Sequence, residues 1–274
     1  MTQKSLIPNF IYGTAWKGNT TATLVETAVN AGFIAIDTAN QPKHYSETGV
    51  GDALLALQKT GITRKQLFLQ TKFTFVSGQD ERIPYDPTAD FKTQVQQSFE
   101  SSLQHLHTDY LDSYILHGPY YAQGLSAVDW GAWRAIEALY SSGKVKHIGI
   151  SNVNVQQLEL LIKDAQIKPH FVQNRCYAVR GWDKKVREFC KLHDIHYQGF
   201  SLLTANMHVL AHPFFLALSE KYKKTPEQII FRFAYQIGMI PLTGTTDKQH
   251  MKEDLNIFDM ELTSDEVMNI EVMG

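Results

Sequence analysis

The stretch Leu67–Phe73, with the sequence LFLQTKF, is a short apolar run that carries a lysine, Lys72, near its end. Leucine and phenylalanine favour burial, whereas lysine is among the side chains that are rarely buried. The pattern returns along the chain, because other apolar and largely β-branched runs also end in a polar residue. These runs are FIAIDTA with Asp37, DSYILHG with His117, HIGISN with Ser151 and Asn152, and HFVQN with Gln173 and Asn174. Such runs predict buried strands with polar side chains at their carboxyl ends.

Predicted strands alternate with predicted helices along the whole chain. The strands are predicted at 10–14, 33–37, 67–72, 111–116, 146–150, 170–174, 195–200 and 239–243. The helices are predicted at 20–31, 45–58, 91–106, 126–141, 154–164, 182–193, 226–237 and 247–256, with extra helices at 207–222 and 264–271. No GxGxxG motif follows an early strand, which disfavours a Rossmann fold. We therefore predict an α/β protein in which residues 1–274 form a single (β/α)8 TIM barrel, with extra helices near the carboxyl terminus.

Composition and charge narrow the class of protein. The chain has 274 residues and is 43% hydrophobic, which is enough for one large core. A net charge of -2 gives no reason to expect nucleic acid or an anionic membrane as a partner. Residues Met1–Gly13 lack the apolar core of a signal peptide, and Cys176 and Cys190 fit neither a disulfide framework nor a zinc pattern. We expect a cytoplasmic monomer or small homo-oligomer that binds neither nucleic acid nor membrane.

An acid, a cation and a histidine end three consecutive predicted strands. These residues are Asp37, Lys72 and His117. Each alone has a simpler explanation, because a lysine at a strand end often reaches solvent, an aspartate caps a turn, and a histidine can be a core residue. In a (β/α)8 barrel, however, the carboxyl ends of the strands meet at one face, where the active sites of this fold lie. The three residues together therefore favour a catalytic site.

Two other groups of residues are less informative. His208 and His212 are four positions apart on a predicted helix, but no third ligand accompanies them, so we expect no metal site. The aromatic residues Trp16, Phe73 and Tyr120 follow predicted strands. They are as consistent with an apolar substrate pocket as with ordinary packing.

The order and spacing of several motifs resemble the aldo-keto reductase family over nearly the whole chain. The motifs are GFIAIDTA followed by VGDAL, LFLQTKF, DYLDSYILHGP, GKVKHIGISN, VQN and IPLTGTT with EDL. The resemblance implies a (β/α)8 barrel that binds a nicotinamide cofactor across its mouth and reduces carbonyl compounds. Two departures from the family pattern are Gly118, where the family usually has tryptophan, and Leu242, where it often has a lysine directed toward the 2′-phosphate of NADP.

The resemblance also assigns roles residue by residue. The implied catalytic residues are Asp37, Tyr45, Lys72 and His117. The implied cofactor-binding residues are Gly13, Thr14, Asp37, Ser151, Asn152, Gln173, Phe200, Ser201, Leu202, Thr243, Gly244, Thr245, Lys248, His250, Glu253 and Asp254. NADPH is the expected cofactor, with NADH possible, and Lys248 is the first candidate for the 2′-phosphate, followed by His250. Because Tyr45 follows Asp37 by more positions than is usual in the family, the adjacent His44 is an alternative proton donor.

The chemistry of carbonyl reduction explains these residue types. It requires a hydride for the carbon and a proton for the oxygen. A tyrosine is a suitable acid when a nearby cation lowers its pKa from about 10, and we expect Lys72 to do so while Asp37 keeps Lys72 charged. His117 would hydrogen-bond the substrate oxygen. Two alternatives remain, namely a lyase that forms a Schiff base on Lys72 and a cofactor-binding regulatory subunit with little turnover.

Overall fold

Eight parallel strands form a closed barrel in the computed structural model, which describes residues 7–273. The strands are β1 (Ile11–Gly13), β2 (Ala35–Asp37), β3 (Phe68–Phe73), β4 (Leu111–Leu116), β5 (Val145–Ser151), β6 (Phe171–Arg175), β7 (His196–Phe200) and β8 (Met239–Thr243). They are ordered as in the sequence, and β8 pairs with β1 to close the barrel. The predicted α/β barrel and its eight strands are therefore confirmed.

Helices follow the strands along the chain. They are α1 (Thr21–Ala31), α2 (Glu47–Lys59), α3 (Phe91–His105), α4 (Ala127–Ser141), α5 (Val155–Asp164), α6 (Lys184–Leu192), α7 (Met207–Leu210), α8 (Pro213–Tyr222), α9 (Pro226–Gln236), α10 (Lys248–Leu255) and α11 (Ser264–Glu271). The single helix predicted at 207–222 is wrong, because the chain breaks it into α7 and α8. Pro213 has no backbone N–H and is suited to the first position of a new helix.

The interior of the barrel has an apolar layer and, nearer the carboxyl ends of the strands, a polar one. The apolar layer consists of Ile11, Ala35, Phe68, Ile115, Phe171, Ile240 and Leu242. The polar layer consists of Asp37, Gln70, Gln173 and Gln198, joined by hydrogen bonds. Successive side chains of a strand point to opposite faces, so Phe68, Gln70 and Lys72 of β3 all point inward. Lys72 therefore lies at the mouth of the barrel, above both layers.

A glycine lets the second and third helices approach closely. A Cβ atom at Gly51 of α2 would lie 1.9 Å from the backbone oxygen of His105 in α3, so no other residue fits there without a shift of the helices. The first residue of α2, Glu47, accepts hydrogen bonds from Thr71 Oγ1 (2.5 Å) and pairs with His105 Nδ1 (3.0 Å). These contacts fix the start of α2 against β3. They also hold the loop that carries Tyr45.

No helix within residues 7–273 is long and apolar enough to cross a membrane. The signal-peptide expectation concerns Met1–Gly13, of which the first six residues lie outside the described part of the chain.

Candidate active site

A cavity of about 1300 Å3 opens at the carboxyl ends of the strands, as the barrel fold predicts. Most of the predicted site residues line it. They are Gly13, Trp16, Asp37, Tyr45, His117, Ser151, Asn152, Gln173, Phe200, Ser201, Leu202, Thr243, Gly244 and Thr245. Lys72 lies directly beneath, and Thr14 is buried beside β2, where its hydroxyl donates to the backbone oxygen of Asp37. The loops after different strands thus bring together residues that are distant in sequence.

Lys72 and Asp37 form a buried ion pair at the floor of this cavity. The exposed fractions of the two residues are 0% and 3%. Lys72 Nζ lies 2.7 Å from each carboxylate oxygen of Asp37 and 2.7 Å from the backbone oxygen of Thr38. Burial lowers the pKa of Lys72, and the carboxylate of Asp37 opposes that shift. Three acceptors at hydrogen-bond distance match the three N–H donors of an ammonium group, and this arrangement favours the charged form.

The glutamines of the polar layer fix the orientation of Asp37. Asp37 Oδ1 accepts hydrogen bonds from the side-chain amides of Gln70 (2.7 Å) and Gln173 (3.1 Å). The Gln173 amide also donates to Gln198 Oε1 at 2.9 Å. Both N–H donors of Gln173 are therefore used inside the protein. Only its side-chain oxygen is left to contact a ligand in the cavity.

Tyr45 lies in the loop before α2, above the ion pair. Its ring centroid is 5.2 Å from Lys72 Nζ and 6.0 Å from the ring centroid of His117. Burial and the carboxylate of Asp37 raise the pKa of Tyr45, and Arg175 opposes this shift. The expectation that Lys72 lowers the pKa of Tyr45 is therefore wrong for this state of the protein. Burial of the phenol is the largest cause of the shift, and the carboxylate of Asp37, which also takes two of the three hydrogen bonds of Lys72, adds to it.

His117 faces the cavity as a neutral ring. Burial lowers the pKa of His117 well below its ordinary value, with further contributions from Lys72 and His44. Its Nδ1 lies 2.6 Å from the hydroxyl oxygen of Thr74. When the Thr74 hydroxyl donates to Nδ1, the ring proton lies on Nε2. In that tautomer the ring has one N–H donor for an oxygen atom in the cavity.

Trp16 and His44 stack at the rim of the cavity. Their ring centroids are 3.9 Å apart, and the backbone N–H of Trp16 donates to the backbone oxygen of His44 at 2.7 Å. The exposed fraction of Trp16 is 74%, so its ring is available to a ligand. His44 Nδ1 is buried and has no hydrogen-bond partner within residues 7–273. His44 therefore belongs to the wall of the cavity, beside Tyr45.

Ser151 and Asn152 extend the polar wall from the end of β5. The hydroxyl of Ser151 donates to the backbone oxygen of Gln173 at 2.6 Å. The side-chain amide of Asn152 donates to the backbone oxygen of His117 (2.8 Å) and to Ser151 Oγ (3.1 Å). These contacts tie the loops after β4, β5 and β6 to one another. The ends of the three strands thus form one surface beside His117.

Two of the three predicted pocket aromatics do not line the cavity. Phe73 points outward from β3, opposite to Lys72, and packs against Phe75 and Tyr85 with ring centroids 5.3 and 5.4 Å apart. Tyr120 packs edge to face on Phe75 at 5.3 Å, and Phe75 itself forms the wall. The pocket role predicted for Phe73 is therefore wrong, because Phe73 is a core residue, whereas the role of Tyr120, which lies behind Phe75, stays a prediction. Trp16 does line the cavity.

The predicted residues of α10 also lie off the cavity wall. Lys248, His250, Glu253 and Asp254 belong to this helix. Its first turn is capped by Asp247, whose carboxylate accepts from the backbone N–H groups of Gln249 (2.7 Å) and His250 (3.0 Å). Asp254 accepts from Thr243 Oγ1 at 2.7 Å, and burial raises the pKa of Asp254 to about 7. The structure therefore does not bring these four side chains into the cavity.

Lys17 is a cavity residue that the sequence analysis missed. Its exposed fraction is 8%, and its Nζ donates to the backbone oxygen of Gly244 at 2.7 Å and lies 5.2 Å from the ring centroid of Tyr12. Within residues 7–273 it forms no ion pair with a carboxylate. Burial lowers the pKa of Lys17 to about 8. The available signal was a lysine four residues after the end of β1, in GTAWK.

The part of the chain that the structure describes holds no group of three or more histidine, cysteine or acidic side chains arranged for a metal ion. His208 lies on α7, whereas His212 precedes α8, and its Nδ1 accepts from the backbone N–H of Phe214 at 3.2 Å. The two histidines therefore do not share one helix as predicted.

Comparisons with known proteins show what this chain is similar to. The family model described as Aldo/keto reductase family matches residues 11–273. The chain is 32% identical to a glyoxal reductase of Bacillus subtilis over 257 residues, which is 94% of this chain and 84% of that protein. It is 33% identical to an NADPH-dependent alpha-keto amide reductase of Saccharomyces cerevisiae over 290 residues, covering 96% and 85% of the two chains. The crystal structure of an aldo/keto reductase from Brucella melitensis superposes with a TM-score of 0.83 at 30% identity, covering 98% and 95%.

Proposed function

This chain belongs to the aldo/keto reductase family, whose members reduce carbonyl compounds with NAD(P)H, and we propose that it reduces aldehydes or ketones with NADPH as the preferred cofactor and Tyr45 as the proton donor. The observation that carries the proposal is the meeting of a buried Asp37–Lys72 ion pair, Tyr45 and His117 at one cavity. A phenol, a neutral imidazole and a fixed cation are the groups that proton delivery to a carbonyl oxygen requires.

The size of the cavity supports a dinucleotide as its ligand. Sites for drug-sized ligands usually measure roughly 300–1,000 Å3, and the cavity here is larger, at about 1300 Å3. A buried ammonium without a counter-charge is unfavourable, and Lys17 is such a group. An anionic phosphate beside Gly244 would supply the missing charge. We assign Lys17 to a phosphate of the cofactor, and Ser151, Asn152 and the side-chain oxygen of Gln173 to its nicotinamide end. The bound cofactor supplies the hydride.

The side chains of this protein supply the proton and stabilise the developing charge. With its pKa raised, the phenol of Tyr45 stays protonated at neutral pH, as an acid must. Transfer of this proton to an alkoxide remains downhill when the alkoxide is the stronger base of the two. The N–H of neutral His117 donates to the same oxygen as charge develops. Lys72 then lies below the phenolate that forms and stabilises it.

The environment of Lys72 disfavours a Schiff-base lyase. A lysine that attacks a carbonyl group must be a neutral amine. Asp37 contacts Lys72 with both carboxylate oxygens at 2.7 Å and so favours the ammonium form. We therefore assign Lys72 an electrostatic role.

One assay tests the proposed function. We expect NADPH oxidation that depends on an added aromatic aldehyde, and no labelling of Lys72 by aldehyde and borohydride. Heat-denatured protein is the control. Tight NADPH binding without turnover would instead indicate a regulatory subunit, and borohydride-dependent labelling of Lys72 would indicate a lyase.

Lys17→Met is expected to weaken the binding of NADPH and NADH alike, roughly 10- to 100-fold, which is the scale of one charge-assisted hydrogen bond. Both cofactors carry the pyrophosphate, so a contact to it affects both. The wild-type affinity should fall as pH rises above about 8, because Lys17 then loses the proton that the phosphate contact needs. Titration of cofactor fluorescence across pH measures both effects. An unchanged affinity in Lys17→Met would contradict the assignment.

Lys248→Ala is the matched comparison. Lys248 is exposed at the start of α10, where a 2′-phosphate would gain only a surface interaction. We expect roughly a two- to fivefold loss of NADPH affinity, no loss of NADH affinity, and therefore a modest wild-type preference for NADPH. If the wild type binds NADH as tightly as NADPH, this phosphate site does not exist.

A further inference from the structure

Two arginines face the same cavity from β6 and the segment that follows it. Arg175 is the last residue of β6, and Arg180 lies in the 3-10 segment Ala178–Asp183. Neither guanidinium group forms an ion pair with a carboxylate of residues 7–273. Two positive charges are therefore exposed to the cavity without a matching negative charge from the described chain.

Aromatic rings hold both guanidinium groups in place. The Arg175 guanidinium lies 5.6 Å from the ring centroid of Phe200, and its Nη1 lies 3.4 Å from the hydroxyl of Tyr177. The Arg180 guanidinium lies 5.0 Å from the ring centroid of Tyr177. Tyr177 thus stands between the two cations. Stacking on an aromatic ring leaves the edge of a guanidinium free to donate hydrogen bonds.

The backbone beneath the arginines is fixed. Arg175 pairs with Phe200 in the sheet, and the next residue, Cys176, donates to the backbone oxygen of Phe200 at 3.0 Å. The segment that carries Arg180 continues into Trp182, which is fully buried and donates from Nε1 to the backbone oxygen of Ile270 at 3.0 Å. The two cations are therefore presented by a rigid scaffold.

Asp183, an acidic residue of the same wall, does not neutralise the guanidinium groups of Arg175 and Arg180. Asp183 lines the cavity, but its Oδ2 accepts hydrogen bonds from the amide of Asn174 (2.9 Å) and the hydroxyl of Tyr197 (2.8 Å). Asp183 therefore holds neighbouring side chains and not a guanidinium. An anion that enters from outside would be attracted by both arginines, and the planar guanidinium matches a carboxylate in two parallel hydrogen bonds.

We propose that Arg175 and Arg180 form a subsite for a carboxylate carried by the carbonyl substrate, so that this reductase prefers oxo acids and aldehyde acids to neutral carbonyl compounds. The proposal rests on the proposed function. A phosphate of the cofactor is the other possible anion, but Lys17 is already placed for it, against the loop after β8. Arg175 instead lies two residues after Gln173 on the same face of β6, and Gln173 hydrogen-bonds Asp37 beneath Tyr45, so Arg175 belongs to the reacting end of the cavity.

The test compares para-formylbenzoate with its methyl ester, which differ in charge and share the reacting aldehyde. We expect wild-type kcat/KM to favour the carboxylate roughly 10-fold or more, mainly through KM. Arg180→Met should remove most of that preference and leave the ester rate unchanged. Arg175→Lys, which keeps the charge but loses the paired hydrogen bonds, should reduce the preference in part. Lys191→Met, which removes an exposed cation of α6 outside the cavity, is the control and should change neither rate.

A binding measurement supplements the rates. Calorimetric titration of para-(hydroxymethyl)benzoate into protein saturated with NADP+ should show weaker binding to Arg180→Met than to wild type or Lys191→Met. Equal wild-type kcat/KM for acid and ester would overturn the carboxylate subsite alone. Failure to reduce either compound would overturn the proposed function. If Arg180→Met weakens NADPH binding and leaves the acid-to-ester ratio unchanged, the anion is a cofactor phosphate and the proposal is wrong.

Discussion

Replacing Lys72 with methionine is expected to lower kcat at least about 100-fold, the lower end of the usual contribution of a proton-transfer system, and to change NADPH affinity little. Methionine keeps the apolar stem and removes the charge that lies 5.2 Å from the Tyr45 ring. The phenolate that forms during reduction then loses the cation of Lys72 and faces the Asp37 carboxylate instead. Steady-state rates and fluorescence titration with NADPH separate the two effects.

A control is needed because Lys72→Met also leaves Asp37 buried without its partner. Breaking a buried ion pair costs about 3–5 kcal/mol of stability, so the single variant could lose activity by unfolding. The double variant Asp37→Asn with Lys72→Met removes both charges and should recover most of the lost thermal stability, since Gln70 and Gln173 still contact position 37. We expect it to remain inactive. Undiminished turnover in Lys72→Met would contradict the electrostatic role.

The position of Lys72 could be predicted from the sequence because successive side chains of a strand such as β3 alternate between the two faces of the sheet. An inward Phe68 in LFLQTKF places Gln70 and Lys72 on the same face, and the fold places the end of the strand at the mouth. The same rule shows why Phe73 is not a pocket residue. Adjacent residues of a strand point to opposite faces of the sheet. Lys72 points inward, so Phe73 points outward, and the two side chains cannot line the same pocket.

The residues that sequence reasoning missed depend on long-range contacts. Lys17 is placed by its hydrogen bond to Gly244, 227 positions away in the chain, and by burial against Tyr12. The local sequence pattern does not show that the side chain of a lysine in a loop is buried. The raised pKa of Tyr45 likewise follows from its burial and from the nearby carboxylate of Asp37, and the local sequence specifies neither. In contrast, Pro213 does indicate the break before α8 from the sequence alone.

Tyr45→Phe is expected to lower kcat by roughly 100- to 10,000-fold with cofactor binding intact, because the change removes the hydroxyl that delivers the proton and keeps the ring that packs beside His117. The variant should fold normally, since within residues 7–273 no hydrogen bond of the Tyr45 hydroxyl holds the loop. That loop is held by Glu47, which bonds Thr71 and His105. Steady-state rates, cofactor titration and thermal melting of the same protein give the three readouts.

His44→Gln is the matched comparison, because His44 is the neighbouring group that could donate a proton. We expect it to cost less than about 10-fold in kcat, since His44 stacks on Trp16 at the rim and Tyr45 lies above the ion pair. The pH profile adds an independent test. A buried phenol with a raised pKa keeps its proton through neutral pH, so the reduction rate should not fall there if Tyr45 is the acid. A rate that falls through neutral pH, together with a larger loss in His44→Gln than in Tyr45→Phe, would make His44 the acid and Tyr45 a packing residue.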